Sequence, residues 1–278
     1  MTNAEKRMQI AQQTLYFLSD GKYPNRHGET IEIAEQQAYA VENSVYYTSE
    51  QLASLQQSVR PPQGYTTRFE VTGETTLAAA KRLVESGIDD PLCLNFASAK
   101  NPGGGFLRGT EAQEENLAKS SGLYPCLVQM SAMYQGNRQR GTCLYSDDMI
   151  YAPKVPVFRD DNYGLLDQHY LASMVTSPAV NLGALTNNEP ERLPEVEGVM
   201  LTRIDKLLTL ALHHGHEHLV LGAWGCGVFG NDPTQMAQWF AKHLLHNERY
   251  RHAFASVTFA VLDTRNTGTL AAFQSEFQ

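Results

Sequence analysis

No run of 18 apolar residues occurs anywhere in the sequence, and the opening MTNAEKRMQIAQQ lacks the apolar core of a secretory leader. Neither a membrane partner nor an export signal is therefore expected. Cations are in short supply, with 22 Lys plus Arg against 30 Asp plus Glu and a formal charge of −8. That balance excludes a general electrostatic footprint for nucleic acid, so an anionic ligand must be held by a local site. The four cysteines, Cys93, Cys126, Cys143 and Cys226, are widely spaced and form no CxxC or other metal-type pattern. They read as reduced thiols of a cytoplasmic protein.

What is present is enough chain, 278 residues, to bury a large core without disulfides or metals. Thr2 and Glu5 have capping-box spacing, and Met8, Ala11, Leu15 and Leu18 recur at helical intervals until Gly21, which predicts an opening amphipathic helix. A short alternating segment at Thr30 to Ile33, a helix at Glu50 to Ser58 and the Pro61-Pro62 break follow. Residues 1–62 are read as an N-terminal extension packed on a main domain, 63–278. There RFEVT, PLCLNFAS, YLASMVTS, EHLVLGAW and SVTFAVLD alternate with helical segments, which argues for an α/β sandwich with a largely parallel sheet. Apart from YLASMVTS, the turn-rich stretch from Gly136 to Pro190 is read as short strands and surface loops.

Such sheets bind ligands beyond the carboxyl ends of their strands. Two glycine-rich loops follow predicted strands there and run into helices: NPGGGFLRGTEA after PLCLNFAS, and GCGVFGNDP after EHLVLGAW. Glycines permit close backbone approach, and a helix N-terminus offers unpaired N–H groups to an anion. One such loop alone is equally a tight turn; two at neighbouring strand ends favour a phosphate or diphosphate cleft. Gly225 to Gly230 also reads GxGxxG, so a dinucleotide-binding oxidoreductase stays open as a lesser reading. The acid at the next strand end, Asp263, lies 33 residues past Gly230 rather than about 20.

Seven residues after GGG come Gln113, Glu114 and Glu115, with Glu111 close by. Glycoside cleavage needs a carboxylic acid for the leaving oxygen and a carboxylate for water or positive charge. Mutual repulsion would keep one acid protonated, whereas the helix N-terminus would favour ionisation. A bare acid pair is also an ordinary helix-start feature.

NFASAKNPGGGFLRGTEAQEE, together with LGAWGCGVFGNDP and KRMQIAQQTLYFLSDGKY, resembles the microbial type of poly(ADP-ribose) glycohydrolase over nearly the whole chain. The resemblance implies a three-layer α/β/α macro domain with a mixed central sheet, acting on ADP-ribose and poly(ADP-ribose) attached to modified proteins. It implies Glu115 as the catalytic acid and base, Glu114 as holder of the ribose hydroxyls, and Gln113 as a positioning residue. Asn101 with Gly103, Gly104 and Gly105 would line the ribose and diphosphate. Gly225, Cys226, Gly227, Val228, Phe229 and Gly230 would close over the diphosphate, with Phe229 against the terminal ribose. No metal and no other cofactor is expected, nor general nucleic-acid binding, and a monomer is anticipated. Removal of a single ADP-ribose from an acceptor, or binding without cleavage, are the other functional outcomes weighed. The large accessory region of the animal enzymes is missing.

Other features invite function less strongly. His213 to His218, HHGHEH, fits no metal-ligand spacing and is read as a helix end stopped by Gly215. Cys226 is read as a small residue between glycines, Trp224 as core, and Asp263 as a guess for the adenine side. Lys100 and Arg108 flank GGG and either steer phosphate or are simply solvated.

Overall fold

A computed structural model of the chain describes residues 2–62 and 64–278. The N-terminal region comprises α1 (Asn3–Asp20), β1 (Lys22–Pro24), β2 (Thr30–Glu32), α2 (Ala34–Glu42), β3 (Val45–Tyr47) and α3 (Ser49–Ser58). Then follow β4 (Arg68–Thr72), α4 (Thr76–Glu85), β5 (Leu92–Phe96), α5 (Gln113–Ser120), α6 (Leu123–Val128), α7 (Ser131–Arg140), β6 (Met149–Arg159) and β7 (Leu165–Ser177). The chain closes with α8 (Leu182–Asn188), α9 (Val196–His213), β8 (His218–Leu221), α10 (Pro233–Leu244), β9 (Ser256–Ala260) and α11 (Thr269–Phe277).

Seven strands form one mixed sheet in the order β3-β6-β7-β5-β8-β9-β4. The pairs from β7 to β4 are parallel; β3 with β6 and β6 with β7 are antiparallel. Alternation along the strands sorts their side chains into two cores. Leu92, Leu94, Leu219, Leu221, Val257 and Phe259 pack with α9, α10 and α11, whereas Cys93, Val220, Ala152 and Met174 pack with α4, α6 and α7. The result is helix, sheet, helix.

The opening helix forms with both halves of its capping box, Thr2 with Glu5, and ends on Gly21 in the left-handed conformation. Its buried face is rotated from the expected stripe. Met8 is exposed, while Ala11, Thr14 and Phe17 are buried. Polar partners set this rotation: Thr14 Oγ1 donates to the Lys119 carbonyl at 2.6 Å, and Arg159 Nε donates to Thr14 Oγ1 at 3.3 Å. Residues 1–62 do more than lie on the main domain, because β3 supplies one edge of its sheet.

The turn-rich stretch is not short strands and loops. Its centre is the long antiparallel pair β6 and β7, preceded by α7 and followed by α8. Pro153 and Pro156 lie within β6 itself, where a register shift between Ala152 and Val155, with Lys154 at φ 48°, accommodates them. The sheet is accordingly less parallel than strand–helix alternation implies.

Candidate functional site

Strands β7, β5 and β8 are parallel neighbours, so their carboxyl ends share one edge of the sheet. The loops that follow β5 and β8 leave that edge side by side. These are the two glycine loops.

In the first loop Gly103 and Gly104 have φ of 67° and 59°, a region that side chains rarely adopt. A Cβ on Gly104 would lie 2.4 Å from Glu115 Oε1 and 3.1 Å from Glu114 Oε2. The backbone thus rests directly on both carboxyl groups. Gly105 N donates to Glu115 Oε1 at 2.8 Å, and Glu115 Oε2 has no hydrogen-bond partner among the described residues. Glu114 is more committed: Oε2 accepts from Ser98 N at 2.7 Å and Oε1 from Asn95 Nδ2 at 3.4 Å. Gln113 is turned onto β5, where Oε1 accepts from Phe96 N at 2.8 Å and Nε2 donates to the Leu94 carbonyl at 2.8 Å and Thr76 Oγ1 at 3.0 Å. Its amide pins the start of α5 to the strand. Asn101 is exposed on the rim and accepts at Oδ1 from Arg138 Nη2 at 3.4 Å.

Burial, with Glu115 close by, pushes the Glu114 carboxyl up to about 8, against the hydrogen bonds it accepts from Ser98 and Asn95. Desolvation therefore outweighs the helix N-terminus at this residue. Between GGG and QEE the loop is clamped through Glu111, which pairs with the fully buried Lys119 ammonium, accepts from Tyr163 Oη and lies 3.3 Å from Arg7 Nε. Arg7 Nε also donates to the Gly109 carbonyl at 2.7 Å, and a Cβ on Gly109 would meet the Ala4 carbonyl oxygen at 2.4 Å. The first helix is pressed against the loop that carries the glycines.

The second loop is organised by a residue that sequence reasoning missed. Asn231, buried, donates from Nδ2 to the Val180 carbonyl at 2.8 Å and the Gly225 carbonyl at 3.1 Å. Gly225, at φ 73°, would place a Cβ 2.5 Å from Asn231 Nδ2 and 2.6 Å from Ala179 Cβ. Gly227 has open space around it, Gly230 takes φ 71°, and Val228 is 85% exposed, offering a ligand mainly backbone. Burial pushes the Cys226 thiol up to about 12, which suits a spacer and not a nucleophile. Phe229 lies 6.0 Å from the Tyr145 ring, and its carbonyl accepts from Gly183 N at 2.9 Å. Trp224 is fully buried and donates to the Ser177 carbonyl.

Residues 11–160 match the family model described as microbial-type PARG, catalytic domain. The chain belongs to the microbial-type PARG family. A solved poly(ADP-ribose) glycohydrolase from Thermomonospora curvata, bound to the inhibitor ADP-HPD, is 46% identical over 98% of this chain and 100% of its own, with a TM-score of 0.92. One from Deinococcus radiodurans, in complex with ADP-ribose, is 44% identical over 87% of this chain and 97% of its own, with a TM-score of 0.82. A comparison with curated proteins finds no match. The PARG match runs across residue 62, so much of the N-terminal region lies within the family module.

Other features of this PARG-family chain have structural partners. His214 stacks on Tyr151 with centroids 3.6 Å apart and bonds Tyr47 Oη at 3.0 Å, while His216 bonds Tyr151 Oη at 2.8 Å. Burial pushes His214 down to about 4. Gly215, at φ 75°, follows the helix end, but these two rings fill an aromatic network and leave the helix carbonyls alone. No group of three His, Cys, Asp or Glu side chains among the described residues is placed to hold a metal. Asp263 is spent on its own turn, accepting from Thr267 N at 2.8 Å and Leu270 N at 3.4 Å. A cavity of about 440 Å³ between Leu182, Leu193, Gln235 and Trp239 includes neither a glycine-loop residue nor a glutamate of QEE. Among the described residues no helix is long and apolar enough to cross a membrane.

Proposed function

We propose that this chain hydrolyses the ribose–ribose O-glycosidic bonds of poly(ADP-ribose), releasing ADP-ribose, with Glu115 as acid and base. The observation that carries this is the contact of Gly104 and Gly105 with Glu115, which couples a diphosphate-type loop to a carboxyl group in one unit. ADP-ribose has a diphosphate for the two glycine loops and an anomeric carbon for the glutamate. Backbone N–H groups suit the diphosphate in a chain of net charge −8, without a metal or redox cofactor.

In this mechanism Glu115 gives a proton to the departing ribose oxygen as the glycosidic bond breaks and positive charge spreads over the ribose ring. Water then adds to the anomeric carbon and returns a proton to Glu115. The free Oε2 of Glu115 supports its selection over Glu114, whose two oxygens are engaged. Glu114, whose burial keeps its carboxyl protonated up to about 8, offers an O–H to a ribose hydroxyl. Gln113 positions both from β5. Asn101, Gly103, Gly104 and Gly105 line one wall, and Gly225 to Gly230 the other, with Phe229 against the ribose.

The acceptors are ADP-ribosylated proteins, and the enzyme works in the cytoplasm as a monomer. Residues 1–62 act as a buttress of the catalytic region 63–278, a role supported by the α1 contacts to Gly109 and Glu111. Incubation with poly(ADP-ribose)-modified protein should release ADP-ribose. Tight ADP-ribose binding without release would make the chain a binding module; release only from singly modified protein would make it a mono-ADP-ribosyl hydrolase.

A further inference from the structure

Among the described residues two aromatic side chains stand on left-handed backbone, Tyr163 at φ 64° and Tyr145 at φ 60°. That conformation is an outlier for a bulky residue and persists where the surroundings hold it, with a tendency to cluster at functional sites. Each of the two braces one glycine loop. Tyr163 donates to Glu111 of the first loop, and the Tyr145 ring lies 6.0 Å from that of Phe229 in the second, tilted by 47°.

The buried Arg203 guanidinium, on α9, holds Tyr145 in place. Nη2 donates to the Leu144 carbonyl at 2.9 Å and the Tyr145 carbonyl at 3.4 Å, and Nη1 to the Pro178 carbonyl at 2.9 Å. Asp147 fixes that guanidinium in turn, accepting from Arg203 Nε at 3.0 Å and Lys206 Nζ at 2.8 Å. Phe229 is held twice by this side of the fold: at its ring by Tyr145 and at its carbonyl by Gly183 N, whose segment is tied to the Cys143 carbonyl through Asn181 N at 3.0 Å. Tyr145 is 8% exposed, whereas Phe229 is half-buried between the exposed Val228 and Gly230. Tyr145 thus covers part of the Phe229 ring and leaves the remainder for a ligand. Glycine would take φ 60° without strain, and what it would lack is the ring. The hydroxyl adds little, because its bond from Asn181 Nδ2 is 3.5 Å long.

We propose that Tyr145 is a positioning residue for the glycohydrolase reaction: its ring, aimed by Arg203, sets the pose in which Phe229 meets the ribose at the scissile bond. This inference rests on the glycohydrolase reading above. It places control of Phe229 outside both glycine loops.

Polymer hydrolysis by Tyr145→Gly and Tyr145→Phe, with a crystal structure of each, tests it. Tyr145→Gly should lower kcat about tenfold with KM changed by less than about twofold, because a displaced contact acts on the reacting geometry. Its structure should show the Phe229 ring moved. Tyr145→Phe should recover most of the loss with Phe229 in place. If the glycine variant does not fold, Tyr145→Asn, also suited to left-handed backbone, replaces it. An unchanged kcat, a loss confined to KM, or a loss with Phe229 unmoved would overturn the proposal and leave the glycohydrolase reading intact. So would a Tyr145→Phe variant as impaired as Tyr145→Gly, since the hydroxyl and not the ring would then matter. Failure of the unsubstituted protein to cleave polymer would remove the glycohydrolase reading itself, and with it the role given to Tyr145, wherever the Phe229 ring lies.

Discussion

Gly105 N donates to Glu115 Oε1 at 2.8 Å, across a gap in which a Cβ on the preceding Gly104 would lie 2.4 Å from the same oxygen. A loop without side chains is therefore required by the glutamate as much as by any ligand. Carboxyl position and loop shape cannot vary independently.

Gly104→Ala should accordingly cost both strain at φ 59° and displacement of the Glu115 carboxyl. The expected loss of kcat is roughly 10²-fold, as for other small misplacements of a reacting group. Gly227→Ala, with open space around it, should change stability by no more than about 0.5 kcal/mol. Steady-state kinetics and thermal unfolding of the pair check this contrast.

A second prediction concerns pH. The Glu114 carboxyl is raised from its ordinary value of 4.5 to about 8, so the folded protein holds a proton that the unfolded chain has lost. Stability from this group is fully present below pH 4.5 and declines as pH rises through 8, by roughly a few kcal/mol. Glu114→Gln should flatten that decline. Urea unfolding of both proteins between pH 5 and pH 9 would expose it; parallel profiles would place the burial penalty elsewhere.

The clamp on the loop gives a third. Glu111→Ala leaves the fully buried Lys119 ammonium without its carboxylate. Removing one partner of a buried pair typically costs about 3–5 kcal/mol. The midpoint of urea unfolding should fall accordingly, and the partial exposure of Glu111 places this variant at the lower end of that range. A change below about 1 kcal/mol would mean that Arg7 and Tyr163 hold the loop unaided.

Much of this arrangement was legible in the residues because local rules and global structure agree. The capping box at Thr2, the glycine stop at Gly21 and the strand–loop–helix settings of both glycine loops are short-range signals, and all appear in the fold. Pro153 and Pro156 hid β6 because a bulge, visible only with its partner β7, makes them compatible with a strand. The rotation of α1 depends on Lys119 and Arg159, more than 100 residues away. Asn95 and Asn231 were missed for different reasons. Asn95 interrupts an apolar strand, a signal that was present in PLCLNFAS; Asn231 looks like any turn residue until Val180 is brought beside it.

The central claim is that Glu115 moves the proton while the glycine loops do the binding. Its most direct measurement is release of ADP-ribose from poly(ADP-ribose)-modified protein by Glu115→Gln, with ADP-ribose affinity determined on the same preparation. The account predicts that release falls by at least about 10²-fold, the lower range for a lost acid–base group, while ADP-ribose still binds. Release at the unsubstituted rate would contradict it.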